Sequence, residues 1–181
     1  ALCKAGTPLP WHLNWVALVT YFIYDILVIA ITTHIVIAVI RMCGYNALRN
    51  VYRPLQARTL ADFWNRLYYY FKELLVEIFF YPTFFRYFKD RPALRLFCAT
   101  FAAAGLGNFL YHFFLDISSL MEHGFFGSLL RHQSYAFYAC VLSVAIFVSQ
   151  WRKMKSAGRQ AHPLMKHLAP LGVLSFYCLL N

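Results

Sequence analysis

The chain is predicted to fold as an all-α integral membrane protein, a multi-helix bundle of about four transmembrane segments with one amphipathic or re-entrant aromatic helix among them. Three observations carry that expectation. Of its 181 residues, 61% are hydrophobic and 13% charged, where a soluble domain carries about a quarter charged residues. The apolar residues gather into runs approaching the roughly 20 residues a bilayer crossing needs. Eighteen Phe and thirteen Tyr add aromatic mass of the kind that sits at membrane interfaces and in large buried contacts.

The first span covers 14–40. Its polar breaks are Asp25, Thr32, Thr33 and His34. A carboxyl at this depth needs a partner. Asp25 and His34 are nine residues apart, about 900° of helix rotation, so they occupy opposite faces and form no site by themselves. Helix packing is the plainer role for both. A basic, turn-rich stretch follows, with Gly44, Asn46, Asn50 and Pro54.

The aromatic helix covers 60–81. Thr59 or Asp62 offers its cap, and Pro82 interrupts it. Asp62, Arg66, Tyr69, Glu73 and Glu77 recur every three to four residues, one stripe of a helix. Such a stripe lines a protein tunnel, hidden from lipid, or lies along the interface. Glu73 and Glu77 would repel unless Lys72 or an Arg neutralises them.

The second clear span, 96–115, contains Ala99, Ala102, Ala103, Ala104, Gly105 and Gly107, small residues that let helices approach closely in membranes. A loop is expected over 116–134 and a third span over 135–151. A basic loop covers 152–167, and a last apolar run, 168–181, is too short to cross. The chain begins with Ala and shows no signal-peptide pattern; it is expected to be a piece of a longer protein, forming one membrane domain. Cys3, Cys43, Cys98, Cys140 and Cys178 are scattered without a CxxC pair and are expected as buried free thiols.

The net charge of +10 would suit nucleic acid on a soluble protein. Here the cations sit between apolar runs, where topology explains them. The expected partners are the lipid bilayer and other membrane subunits, with no nucleic acid. Residues 41–95 hold ten Lys and Arg, 152–166 hold five, and 116–134 hold only Arg131. The positive-inside rule then places 41–95 and 152–167 in the cytoplasm and 116–134 outside a cell (inner) membrane.

Asn108, His112 and Asp116 fall at i, i+4 and i+8 and would share one helix face. His is the side chain best suited to act as a base near neutral pH. Beside it Asn108 would donate to an oxygen that gains negative charge, and Asp116 would orient the ring. The same spacing also suits polar residues meeting headgroups at a helix end. His123, His132, His162 and His167 fall in loops without metal-ligand spacing, and no metal site is expected.

The order Gly44-Tyr45-Asn46, then Asn50-Val51-Tyr52-Arg53-Pro54-Leu55, then Asp62-Phe63-Trp64-Asn65-Arg66 resembles the membrane-bound O-acyltransferase family. The nearest branch acetylates bacterial polysaccharides or transfers D-alanine to teichoic acid. Ala104-Gly105-Leu106-Gly107-Asn108, followed by Leu110-Tyr111-His112-Phe113, occupies the place of that family's Gly-Leu-Trp-His-Gly helix. The resemblance covers roughly 15–150. It implies transfer of an acyl group, acetyl first of all, to a hydroxyl of a glycan or lipid. The donor substrate would be acyl-CoA or an acyl-carrier thioester, with no bound cofactor. His112 and Asn108 would be catalytic, and Asp62, Trp64, Arg66, Tyr68, Tyr69, Glu73 and Asp116 would line the substrate tunnel. Two departures stand out. Leu67-Tyr68 replaces the family's Trp-His, and Gly107-Asn108 replaces the Trp-His that carries the catalytic His. They leave open a second role, a non-catalytic structural subunit of a membrane complex on the same scaffold.

Overall fold

A computed structural model describes residues 10–155 and 169–176. Every element among them is helical. The expected run 168–181 is described only over 169–176, which is helical; Cys3, Cys178, His162, His167 and most of the 152–167 loop lie outside the described residues.

Helix α1 (Trp11–Met42) is apolar on all sides and buries only Phe22, Ile26 and Ile37, the pattern of a helix whose remaining surface meets lipid. It stops at Gly44, which takes φ +89°. There the Gly44 N–H bonds the Arg41 carbonyl at 3.0 Å and the Tyr45 N–H reaches Ile40 at 3.3 Å, satisfying carbonyls that the helix end leaves over.

The aromatic segment is not one helix. Helix α2 (Leu60–Leu67) is capped by Thr59, whose Oγ1 accepts the Asp62 N–H at 3.1 Å. Tyr68 then leaves helical geometry (φ −129°, ψ 54°). Helix α3 (Tyr69–Leu75) continues through a π-helical turn, Val76–Phe80, into α4 (Tyr81–Arg86). A straight helix would hold Ala61 and Phe80 about 28 Å apart at 1.5 Å per residue. Instead they line one small cavity, so α2 and α3 fold back on each other with Tyr68 at the tip. The segment before α2 secures this bend. The Tyr52 N–H donates to the Arg66 carbonyl at 2.7 Å, and the Tyr69 N–H donates to the Asn50 carbonyl at 3.2 Å. Asn50 Oδ1 accepts the Tyr70 N–H at 3.1 Å. These bonds take up backbone groups that the break would otherwise orphan.

The second span runs as α5 (Pro92–Thr100), a π-helical stretch Phe101–Gly107, and α6 (Asn108–Leu115). Helix α8 (Gln133–Lys155) packs antiparallel to it. His112 stacks on Tyr135 with centroids 5.3 Å apart, and Thr100 Oγ1 donates to Gln150 Oε1 at 3.1 Å near the other end. Between them lie buried Ala99, Ala103 and Ala104 opposite Ala139, Leu142 and Ser143. Helix α1, Pro92–Leu115 and α8 are long and apolar enough to cross a membrane. This is an all-α membrane protein.

Three expectations change. The 116–134 segment is helix α7 (Ile117–Arg131), not a loop: Asp116 Oδ1 caps it by accepting the Ser119 N–H at 3.2 Å, and Gly124 kinks it at φ +68°. Its glycines and serines hid the helical signal. Second, Cys43 and Cys140 are exposed free thiols rather than buried ones, with Cys98 between the two. Third, residues 41–95 do not sit on one side as a block. Tyr70 Oη donates to the Leu48 carbonyl, and Phe71 packs 4.5 Å from Tyr111. Residues 48–50 therefore lie at the His112 end of the bundle, whereas Arg58 shares a cleft with Arg152 and Lys153 at the other end. The charge count missed this because the segment 50–58 runs back along α2.

Candidate functional site

The bend at Tyr68 and the start of α6 meet around a cavity of about 520 Å³, within the size range of about 300–1,000 Å³ for small-molecule sites. Trp64 and Tyr68 form one wall, Asn108 and His112 a second, and Thr32 and Thr33 of α1 a third; Asn50 and Tyr138 also line it.

Asn108 is the first residue after the π-helical stretch. It is 2% exposed, and among the described residues its side-chain amide has no hydrogen-bond partner. A buried amide left unsatisfied costs about 1–3 kcal/mol, so a group retained at that cost needs a reason. His112 follows one turn later on the same face, its Cβ about 5–6 Å away. It is half-buried, stacked on Tyr135, with Tyr111 edge-on at 5.5 Å. No hydrogen bond among the described residues engages its ring nitrogens, so a nitrogen is available to a substrate. Trp64 is 7% exposed. Burial, with the Asp25 carboxylate as a smaller contribution, raises the Tyr68 hydroxyl above the ordinary tyrosine value; at neutral pH it is a donor, not a base.

Of the nine residues singled out by the sequence, four meet at this cavity: Trp64, Tyr68, Asn108 and His112. The others do not line it. Asp62 binds Arg66 Nε at 2.8 Å along α2. Glu73 is ion-paired to Lys72, which also lies 5.3 Å over the Tyr69 ring. The stripe thus neutralises itself away from the cavity, because the break at Tyr68 and the π turn after Leu75 destroy the single-helix register. Asp116 does not orient His112 either. Helix α6 ends at Leu115, so the i+8 relation fails, and Asp116 turns to the Ser119 N–H and to His132, with Nε2 and Oδ2 3.6 Å apart.

Sequence reasoning missed Tyr138 and Asn50, which line the cavity, and His132, which packs behind it against Tyr135. His132 is 6% exposed; its Nδ1–H donates to the Ser128 carbonyl at 2.9 Å, and its ring lies 5.7 Å from Tyr135. Nothing in its spacing marked it, since it sits within a segment expected to be a loop. Asn50 did carry a signal, sitting inside the motif that resembled an acyltransferase.

No protein-family profile, curated protein or solved structure matches this chain.

Proposed function

We propose that the protein is a multi-pass cell-membrane acyltransferase. It moves an acyl group, acetyl in the simplest case, from acyl-CoA or an acyl-carrier thioester to a hydroxyl of a glycan or lipid. The observation that carries this reading is a pair on one wall of a cavity large enough for a substrate: His112, whose ring nitrogens make no hydrogen bond among the described residues, and Asn108, buried and without a side-chain partner among them.

In this reaction His112 takes the proton of the acceptor hydroxyl as its oxygen attacks the thioester carbonyl. Negative charge collects on the carbonyl oxygen, where the Asn108 amide and the Tyr68 hydroxyl donate. The carbon–sulfur bond then breaks, and the proton held by His112 passes to the leaving thiolate. Ester and free thiol are the products. A second, smaller cavity of about 80 Å³ shares the Trp64 wall and extends past Lys72 to Thr100 and Gln150. Trp64 stands between the two spaces. The positive-inside rule, applied to Arg58, Arg152 and Lys153, favours their end of the bundle as the cytoplasmic one, which would put His112 toward the outer face.

The alternative, a non-catalytic subunit on the same scaffold, draws on Tyr68 and Asn108 standing where the resembled family has His. The two separate in one assay: transfer of labelled acetyl from a thioester into the glycan and lipid fractions of membranes carrying the full-length protein. Loss of labelling in His112→Ala at unchanged expression supports the enzyme; equal labelling with and without the wild-type protein supports the subunit.

A further inference from the structure

Among the described residues a second space exceeds the His112 cavity in volume. A cleft of about 640 Å³ opens where α8, the start of α2 and the helical residues 169–176 come together. Along α8 it is lined by Ala145, Val148, Ser149, Arg152 and Lys153. These are i, i+3, i+4, i+7 and i+8, one helical face. That face passes from small apolar residues to cations over about 12 Å, at the basic end of a helix long enough to span the membrane. Opposite, Val173 and Phe176 continue the apolar part, and Arg58 adds a third cation. Among the described residues that line it there is no carboxylate. Asp62, in the first turn of α2, is held by Arg66 Nε and the Arg58 backbone N–H.

Apolar wall and cationic rim are thus ordered along the membrane normal as the parts of an anionic lipid are. We propose that this cleft binds an anionic phospholipid of the leaflet at the basic end. Its phosphoryl group lies among Arg58, Arg152 and Lys153, and an acyl chain lies against Val148, Val173 and Phe176. Gly172 supplies the room: a Cβ built there meets no heavy atom within 4 Å. This site is separate from the His112 cavity and does not rest on the acyl-transfer reading.

The test uses the full-length protein in nanodiscs of phosphatidylcholine doped with phosphatidylglycerol, with retained lipid measured by native mass spectrometry after detergent release. Each Lys or Arg near an anionic headgroup contributes about fivefold in affinity. The wild type should retain phosphatidylglycerol well over tenfold in preference to phosphatidylcholine, a product of about two such factors. Arg58, Arg152 and Lys153 are all exposed, so changing them leaves the core intact. Arg58→Gln/Arg152→Gln/Lys153→Gln should abolish the preference. Gly172→Ile keeps every charge but fills the cleft, and should lose retention of phosphatidylglycerol at an unchanged melting temperature. Equal retention of both lipids by the wild type overturns the proposal, as does a preference that survives the triple substitution. Displacement of the lipid by millimolar inorganic phosphate or glycerol phosphate overturns the lipid assignment in favour of a soluble phosphorylated ligand.

Discussion

Gly107→Ala tests the packing that shapes the cavity. Gly107 ends the π-helical stretch of the second span and faces the back of the α2–α3 hairpin. A methyl group there would lie 2.7 Å from Phe79 Cδ2, 2.9 Å from Phe79 Cε2 and 3.0 Å from Leu75 Cδ2. Carbon atoms rest at about 3.5–4.0 Å, so the ring must retreat by close to 1 Å. Overpacking of this kind costs about 1–3 kcal/mol. Against it stands about 0.5–1 kcal/mol gained by replacing Gly within a helix. The net expectation is a loss of about 0.5–2 kcal/mol, read as a melting temperature lower by a few degrees in detergent, at about 2–4 °C per kcal/mol for a chain of this size. Gly107→Ala should be neutral or stabilising in a Phe79→Ala background, because the two closest contacts are gone and the flexible end of Leu75 need give only a few tenths of an ångström. If instead the two substitutions add to within about 0.5 kcal/mol, Phe79 does not press on Gly107 and the packing of hairpin on span is wrong.

Three further outcomes follow from the site. Asn108→Leu removes an unsatisfied buried amide and should stabilise the protein by about 1–3 kcal/mol, while cutting transfer by about 10²–10³; a variant that loses stability identifies the amide as structural. Asp116→Ala should cost about 1 kcal/mol through the lost α7 cap and leave the transfer rate unchanged. A loss of rate matching that of His112→Ala would restore Asp116 as the group orienting that ring. Because burial raises the Tyr68 pKa, its neutral form is favoured and the hydroxyl stays protonated far into the alkaline range. Tyr68→Phe should therefore lower the rate without moving any limb of the pH–rate profile, and an alkaline limb that vanishes with it would refute the donor role.

Legibility in the sequence followed the distance over which each signal acts. The spans were readable because lipid imposes a length and a composition on a whole run. They widened to Trp11–Met42, Pro92–Leu115 and Gln133–Lys155 by taking in amphipathic ends that hydropathy discounts. Asn108 and His112 were readable as a pair because α6 is regular between them. Asp116 was not, since one residue leaving helical geometry ends the register, and no composition announces φ −90°, ψ 60° at an acid that can cap the next helix. The same limit hid the bend at Tyr68. Its cause lies in the hydrogen bonds from Asn50 and Tyr52 across the segment before α2, a partner that local pattern does not contain. The charge stripe was real as a pattern, but the bend splits it, and Asp62 and Glu73 are met locally by Arg66 and Lys72.

The most direct measurement of the central claim is acetyl transfer from a labelled thioester by reconstituted full-length protein, wild type against His112→Ala. The account predicts transfer by the wild type and a fall of about 10²–10⁴ in the variant, at equal expression and melting temperature. Undiminished transfer by His112→Ala would contradict it.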